Sequence, residues 1–102
     1  MAANHITFAP ASDALSDVAK AKVVHLAESA KQGHPGVGIV SVVEAKGDRV
    51  QQMELARKRA VAVRQVLQDN GVPLGKMRIQ IQEVPPGSLA PADLNRLAIA
   101  LD

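Results

Sequence analysis

Apolar residues recur along this chain with two different periods, and the switches between them mark out successive strands and helices. Ile6, Thr7 and Phe8 form a short β-branched and aromatic run closed by Pro10, which predicts a brief first strand followed by a break. Leu15, Ala19, Val23, Leu26, Ala27 and Ala30 then recur at three- and four-residue spacing, the pattern of a helix with one apolar stripe. Ser12 is the expected N-cap, with a hydroxyl placed to accept a backbone N–H and Asp13 at the positive helix end. Asp17, Lys20, Glu28 and Lys31 fall on the opposite, solvated face, and His25 also lies away from the stripe.

Gly33, Pro35, Gly36 and Gly38 stop that helix and lead into an apolar run over 37–43, interrupted only by Gly38 and Ser41. Such a run predicts a strand covered on both faces. It ends at Glu44, and Ala45, Lys46, Gly47 and Asp48 form a turn into a second helix with Met53, Ala56, Ala60, Val63 and Leu67 on its stripe. Asn70-Gly71 is a C-terminal stop and Pro73 prevents continuation. Met77, Ile79 and Ile81 alternate with Arg78, Gln80 and Gln82, as in a strand with one face on the core. After a loop over 85–91 rich in Pro and Gly, Leu97, Ile99 and Leu101 point one way and Ala98 and Ala100 the other. The order is β-α-β-α-β-β. Two helices with one stripe each need a sheet to cover, so the expected fold is an α+β two-layer sandwich, a mixed sheet under two helices.

Composition narrows the function. A chain of 102 residues with 47% hydrophobic residues suits one small domain over 1–102, whose core must be aliphatic because Phe8 is its one aromatic residue. That scarcity removes the stacking platforms on which single-stranded nucleic acid is held, and a formal charge of +2 is weak attraction for a polyanion. Lys46, Arg49, Arg57 and Lys58 form a basic cluster with no nucleic-acid reading motif beside them. Cysteine is absent, His5, His25 and His34 have no metal-ligand spacing, and no serine has a nucleophile-elbow context, so neither an enzyme nor a cofactor or metal is expected. No apolar run approaches the ~20 residues that span a bilayer, and the first ten residues lack the blocks of a signal peptide. The chain is expected to be the soluble piece of a longer protein.

The candidate chemistry lies within 43–67. Leu55, Arg59, Ala62 and Val66 form a second row on the second helix, which Arg59 interrupts. A guanidinium among apolar neighbours has few rotamers, and its planar fork can receive an anion through parallel hydrogen bonds. Alternatively, Arg59 lays its methylenes over Leu55 and Val66 while its head reaches water. Gln52 precedes it by two turns on nearly the same face, Arg57 and Lys58 are surface charges, and Glu44 supplies a carboxylate where the buried strand ends.

Several segments together resemble the C-terminal OmpA-like domain, the module that non-covalently holds peptidoglycan in Gram-negative bacteria. They are Ile6-Thr7-Phe8, Leu26-Ala27, Leu55-Ala56-Arg57-Lys58-Arg59-Ala60 with Val63, Gly71-Val72-Pro73, and a closing Asn95-Arg96 before an alternating strand. The family site combines a Thr-Asp pair ending the second strand, an Asn beyond it, and the Arg of a Leu-Ser-x-x-Arg-Ala motif. Carried over without gaps, the Asp falls on Glu44, the Thr on Val43, the Asn on Gln52, the Ser on Ala56 and the Arg on Arg59, which alone is unchanged. The glycine expected before the Thr-Asp pair is absent. The resemblance implies that Glu44, Arg59 and Gln52 bind the diaminopimelate of the stem peptide, carboxylate to ammonium and guanidinium to carboxylate. It further implies a periplasmic domain, tethered through a region outside this chain, whose partners are peptidoglycan and other envelope proteins. The substitutions leave a second reading open, a divergent OmpA-like scaffold that has lost peptidoglycan and serves as a protein interaction module.

Overall fold

The computed structural model describes residues 3–33, 36–44, 48–85, 87 and 95–101. Within them the chain forms β1 (Ala3–Thr7), α1 (Asp17–Ala30), β2 (Val37–Glu44), α2 (Arg49–Asp69), a 3-10 turn (Leu74–Lys76), β3 (Met77–Val84) and β4 (Arg96–Leu101). This is the β-α-β-α-β-β order expected from periodicity. The strands lie in the order β1-β4-β2-β3. β4 is antiparallel to both β1 and β2, while β2 and β3 run parallel, as strands joined through a helix can. The helices contact each other as well as the sheet, so both cover the same face of a mixed α+β sandwich.

Register places the core on that face. Ile6 is paired with Leu97, Ile39 with Ile99 and Val37 with Leu101, and these pairs meet Val23, Ala27 and Ala30 of α1 and Ala60, Val63 and Leu67 of α2. All are buried, so the stripes read from the sequence are the packed faces, except that Met53 is only partly buried. Leu15 and Val66 pack against the cluster as partly buried residues.

β2 departs from the expectation that both its faces are covered. Gly38, Val40 and Val42 pair with Arg78, Gln80 and Gln82 of β3 and alternate with the core residues, so they face the side that carries no helix. Val40 and Val42 are accordingly only half-buried. Gly38 is covered instead by the Arg78 side chain, whose Nη2 would lie 3.4 Å from a Cβ at that position. Small residues and one long side chain stand in for a third layer.

The start of α1 also differs. Ser16, not Ser12, is the N-cap, with Oγ accepting from the Ala19 N–H at 3.1 Å, and Asp17 occupies the first turn. Ser12 Oγ accepts only from the Ala14 N–H, within a loop. β1 begins earlier than expected, leaving Phe8 just beyond it, buried and donating its N–H to the Asn95 carbonyl at 2.8 Å. α2 is capped by Asp48 through the Gln51 N–H at 3.1 Å. It closes in a Schellman arrangement: Val72 N–H donates to Leu67 O, Gly71 N–H to Gln68 O, and Gly71 takes φ 97°. The expectations for His34 and for most of the 45–48 turn and the 85–91 loop fall outside the described residues.

Candidate functional site

Arg59 projects from the middle of α2 and is only 7% exposed. Its Nε donates to the Ser12 carbonyl at 2.8 Å, and its Nη2 donates to the Ala9 carbonyl and to Asn95 Oδ1, both at 3.1 Å. The Phe8 ring lies 5.1 Å from its Cζ, within cation–π range. None of these bonds uses Nη1. The picture of a head reaching into water is therefore corrected: the guanidinium is buried and fixed by protein acceptors.

The two carbonyl acceptors come from the segment between β1 and α1, where the sequence pattern puts a break at Pro10 and a helix N-cap at Ser12. Ser12 N–H donates to Ala9 O at 3.1 Å, Pro10 occupies the second position and Ala11 takes φ 58° in the third, the pattern of a type II turn. This turn keeps 9–12 out of helix, so the carbonyls of Ala9 and Ser12 are free to face Arg59. A left-handed conformation costs a non-glycine residue roughly 1–2 kcal/mol, and here the neighbouring guanidinium bonds offset it. Burial lowers the Arg59 pKa and the charge of Asp13 opposes the shift. The side chain remains a cation at neutral pH.

Glu44 ends β2 and is 9% exposed. Its Oε2 accepts the backbone N–H of Gly87, a turn residue with φ 80°. Gln52 sits half-buried in the early part of α2. These three sequence-derived candidates line one cleft of about 220 Å³, together with Val43, Ala56 and Asn95. Among the described residues no ion pair joins Glu44 to Arg59, whereas Lys31–Glu28, Arg49–Glu83 and Lys58–Glu54 do pair. The cleft thus holds a carboxylate and a guanidinium that do not neutralise each other directly. Such a pair is chemically matched to a zwitterion. Arg57 and Lys58 are exposed, as expected.

Three contributors were not singled out as site residues from the sequence. Asn95 accepts from Arg59, lines the cleft and takes the Phe8 N–H on its carbonyl, so one residue joins β1, β4 and the site. Its signal was the Asn95-Arg96 close, read as a mark of fold. The carbonyls of Ala9 and Ser12 had no signal beyond Pro10, since main-chain acceptors carry no residue signature.

Residues 7–93 match the OmpA family, and the chain belongs to that family. Its fold is similar to the peptidoglycan-associated lipoprotein of Burkholderia pseudomallei, at 24% identity and TM-score 0.79 over 96% of this chain and 89% of that one. It is also similar to the C-terminal domain of Helicobacter pylori MotB, at 20% identity and TM-score 0.74 over 97% and 85%. The OmpA-like domain of FopA1 from Francisella tularensis matches at 16% identity and TM-score 0.69 over 96% and 70%. No curated protein sequence matches the chain.

Proposed function

We propose that this OmpA-family domain binds peptidoglycan non-covalently in the cleft between the end of β2 and α2, and so anchors an envelope protein to the cell wall. The observation that carries the reading is the placement of Glu44 and Arg59 around one cleft without a direct ion pair. The name of the Burkholderia relative, a peptidoglycan-associated lipoprotein, points the same way. Arg59 Nη1 receives a carboxylate of the diaminopimelate stem, Glu44 faces the ammonium of the same zwitterionic end, and Gln52 supplies a neutral hydrogen bond. Glu44 is one methylene longer than the family's aspartate, about 1.5 Å, and its extra reach is taken up by the Gly87 N–H. The role is holding, not catalysis, and it places the domain in the periplasm, tethered through a region outside this chain.

A specific observation favours a second reading. Glu44 already accepts from Gly87, and Arg59 already donates to Ala9, Ser12 and Asn95, so both charges have protein partners. A divergent scaffold that uses these groups only to hold its loops would look the same. Co-sedimentation with isolated sacculi separates the two. The wild-type domain should pellet with sacculi, and Glu44→Gln, which keeps the Gly87 acceptor, should weaken binding about tenfold or more, equivalent to about 1.4 kcal/mol. Wild-type protein left in the supernatant would favour the scaffold, and equal pelleting of the variant would remove Glu44 from the site.

A further inference from the structure

Asn95 meets Arg59 with only half of its side-chain amide. An arginine has donors and no acceptor, so Asn95 turns its oxygen to Nη2, at 3.1 Å, and its nitrogen away from it. The backbone anchors the residue in that place: the Asn95 carbonyl accepts from the Phe8 N–H at 2.8 Å, and β4 begins at the next residue. Among the described residues nothing accepts from Asn95 Nδ2 or from Arg59 Nη1, and neither nitrogen is sealed from solvent. Both residues line the same cleft. The bonded half of each group thus serves the framework, and the other half is left for a ligand.

The surrounding wall offers these two nitrogens little else. Val42, Val43, Leu55 and Ala56 supply the apolar part of the lining, and Val43 and Ala56 fall where the family motif has Thr and Ser hydroxyls. A donor covered against such a wall without a partner carries a desolvation cost. What satisfies both nitrogens is a group with two acceptor atoms and no proton of its own, a carboxylate. A carboxamide of the same shape has one acceptor, and its NH2 meets one of the two donors head-on. A polar mismatch of that kind separates near-isosteres far better than shape does.

We infer that Asn95 is itself a ligand-binding residue, and that Arg59 Nη1 and Asn95 Nδ2 form a carboxylate clamp selecting stems whose diaminopimelate carries a free carboxylate over stems in which that carboxyl is amidated. The clamp rests on the peptidoglycan reading proposed for the cleft and specifies the form of the stem that the cleft takes. Arg59 supplies the charge and Asn95 a neutral second donor beside it, so each oxygen of the ligand has its own partner. Glu44, at the other pole, does not distinguish the two forms, since amidation leaves the ammonium unchanged.

The test is a titration of the whole chain with diaminopimelate, its diamide and its dimethyl ester, followed by backbone amides, in the wild type and in Asn95→Asp. Asp keeps an oxygen for Arg59 Nη2 but puts an acceptor in place of the Nδ2 donor, so the unfolding midpoint should stay level or rise. A lowered midpoint would mean that the oxygen does not face Arg59, and would overturn the clamp. In the wild type the diamide should bind at least about tenfold more weakly than diaminopimelate. In Asn95→Asp diaminopimelate should lose about tenfold, while the diamide gains because its NH2 now meets an oxygen. The dimethyl ester has the charge of the diamide but no amide proton, and should gain less. Equal gains for diamide and ester would reduce residue 95 to a distant charge and overturn the contact. A wild type that binds diaminopimelate and diamide equally, or a preference unchanged in Asn95→Asp, would overturn the clamp and leave the peptidoglycan reading standing. No wild-type response to diaminopimelate would overturn both.

Discussion

The two charged walls of the cleft are built differently. Arg59 is fixed from three directions by Ser12, Ala9 and Asn95 and backed by Phe8, all from outside its own helix. Glu44, buried to a similar degree, is met among the described residues by one backbone N–H, from a turn glycine. The cation is thus part of the framework that joins α2 to one end of the β1–β4 pair, where the residues after β1 and before β4 lie side by side. The anion is attached at the end of a strand. A site organised this way tolerates change on its acidic side before its basic side. In the resemblance drawn from the sequence, Arg59 matches the family motif while Glu44, Val43, Gln52 and Ala56 depart from it.

Removing the framework cation should have the largest effect. Arg59→Ala deletes three hydrogen bonds of a charged, buried donor and strands their acceptors, and should cost about 3 kcal/mol in urea unfolding. Arg59→Lys should recover less than half of that, because an ammonium cannot reproduce the fork that spans Ser12, Ala9 and Asn95. Full recovery by lysine would mean that charge, not geometry, holds this wall. Asn95→Ala removes one of the three partners and should cost about 1.5 kcal/mol. An unchanged midpoint would show that Asn95 is a bystander.

Strain in the turn gives an effect of opposite sign. Ala11→Gly relieves a positive φ, and after the extra chain entropy of glycine it should stabilise the fold by about 0.5–1 kcal/mol. A loss of stability would mean that the 9–12 turn is not strained as described. The smallest change in stability belongs to the other wall. Glu44→Gln keeps an acceptor for Gly87 and should move the unfolding free energy by less than about 0.5 kcal/mol. A drop as large as that of Asn95→Ala would erase the contrast between the walls.

Most of the fold was legible because period and burial agree residue by residue. The stripe through Ala19, Val23, Leu26, Ala27 and Ala30, and that through Ala56, Ala60, Val63 and Leu67, are the buried faces, and Asn70-Gly71 ends α2 as its chemistry dictates. The misplaced cap has a physical cause. Ser12-Asp13 and Ser16-Asp17 are equivalent locally, and the choice is made by Arg59, forty-seven residues away from Ser12, whose bond to the Ser12 carbonyl requires non-helical backbone there. The apolar run of β2 was read as doubly covered because periodicity does not register Gly38 sheltered by Arg78. In the candidate site, Arg59 stood out as a break in an apolar row and Glu44 as the end of one. Asn95 stood out only as part of a family close, because a polar residue at the start of a strand is common, and its bond to Arg59 exists only in three dimensions.

The central claim is that Glu44 and Arg59 form the two poles of one binding cleft, and it is tested most directly by titrating diaminopimelate into the wild-type domain and Glu44→Gln while following backbone amides. The account predicts saturable shifts at 42–44, 52–59 and Asn95 in the wild type and their loss in the variant at unchanged stability. A flat wild-type response at millimolar ligand, or identical titrations of the two proteins, would contradict it.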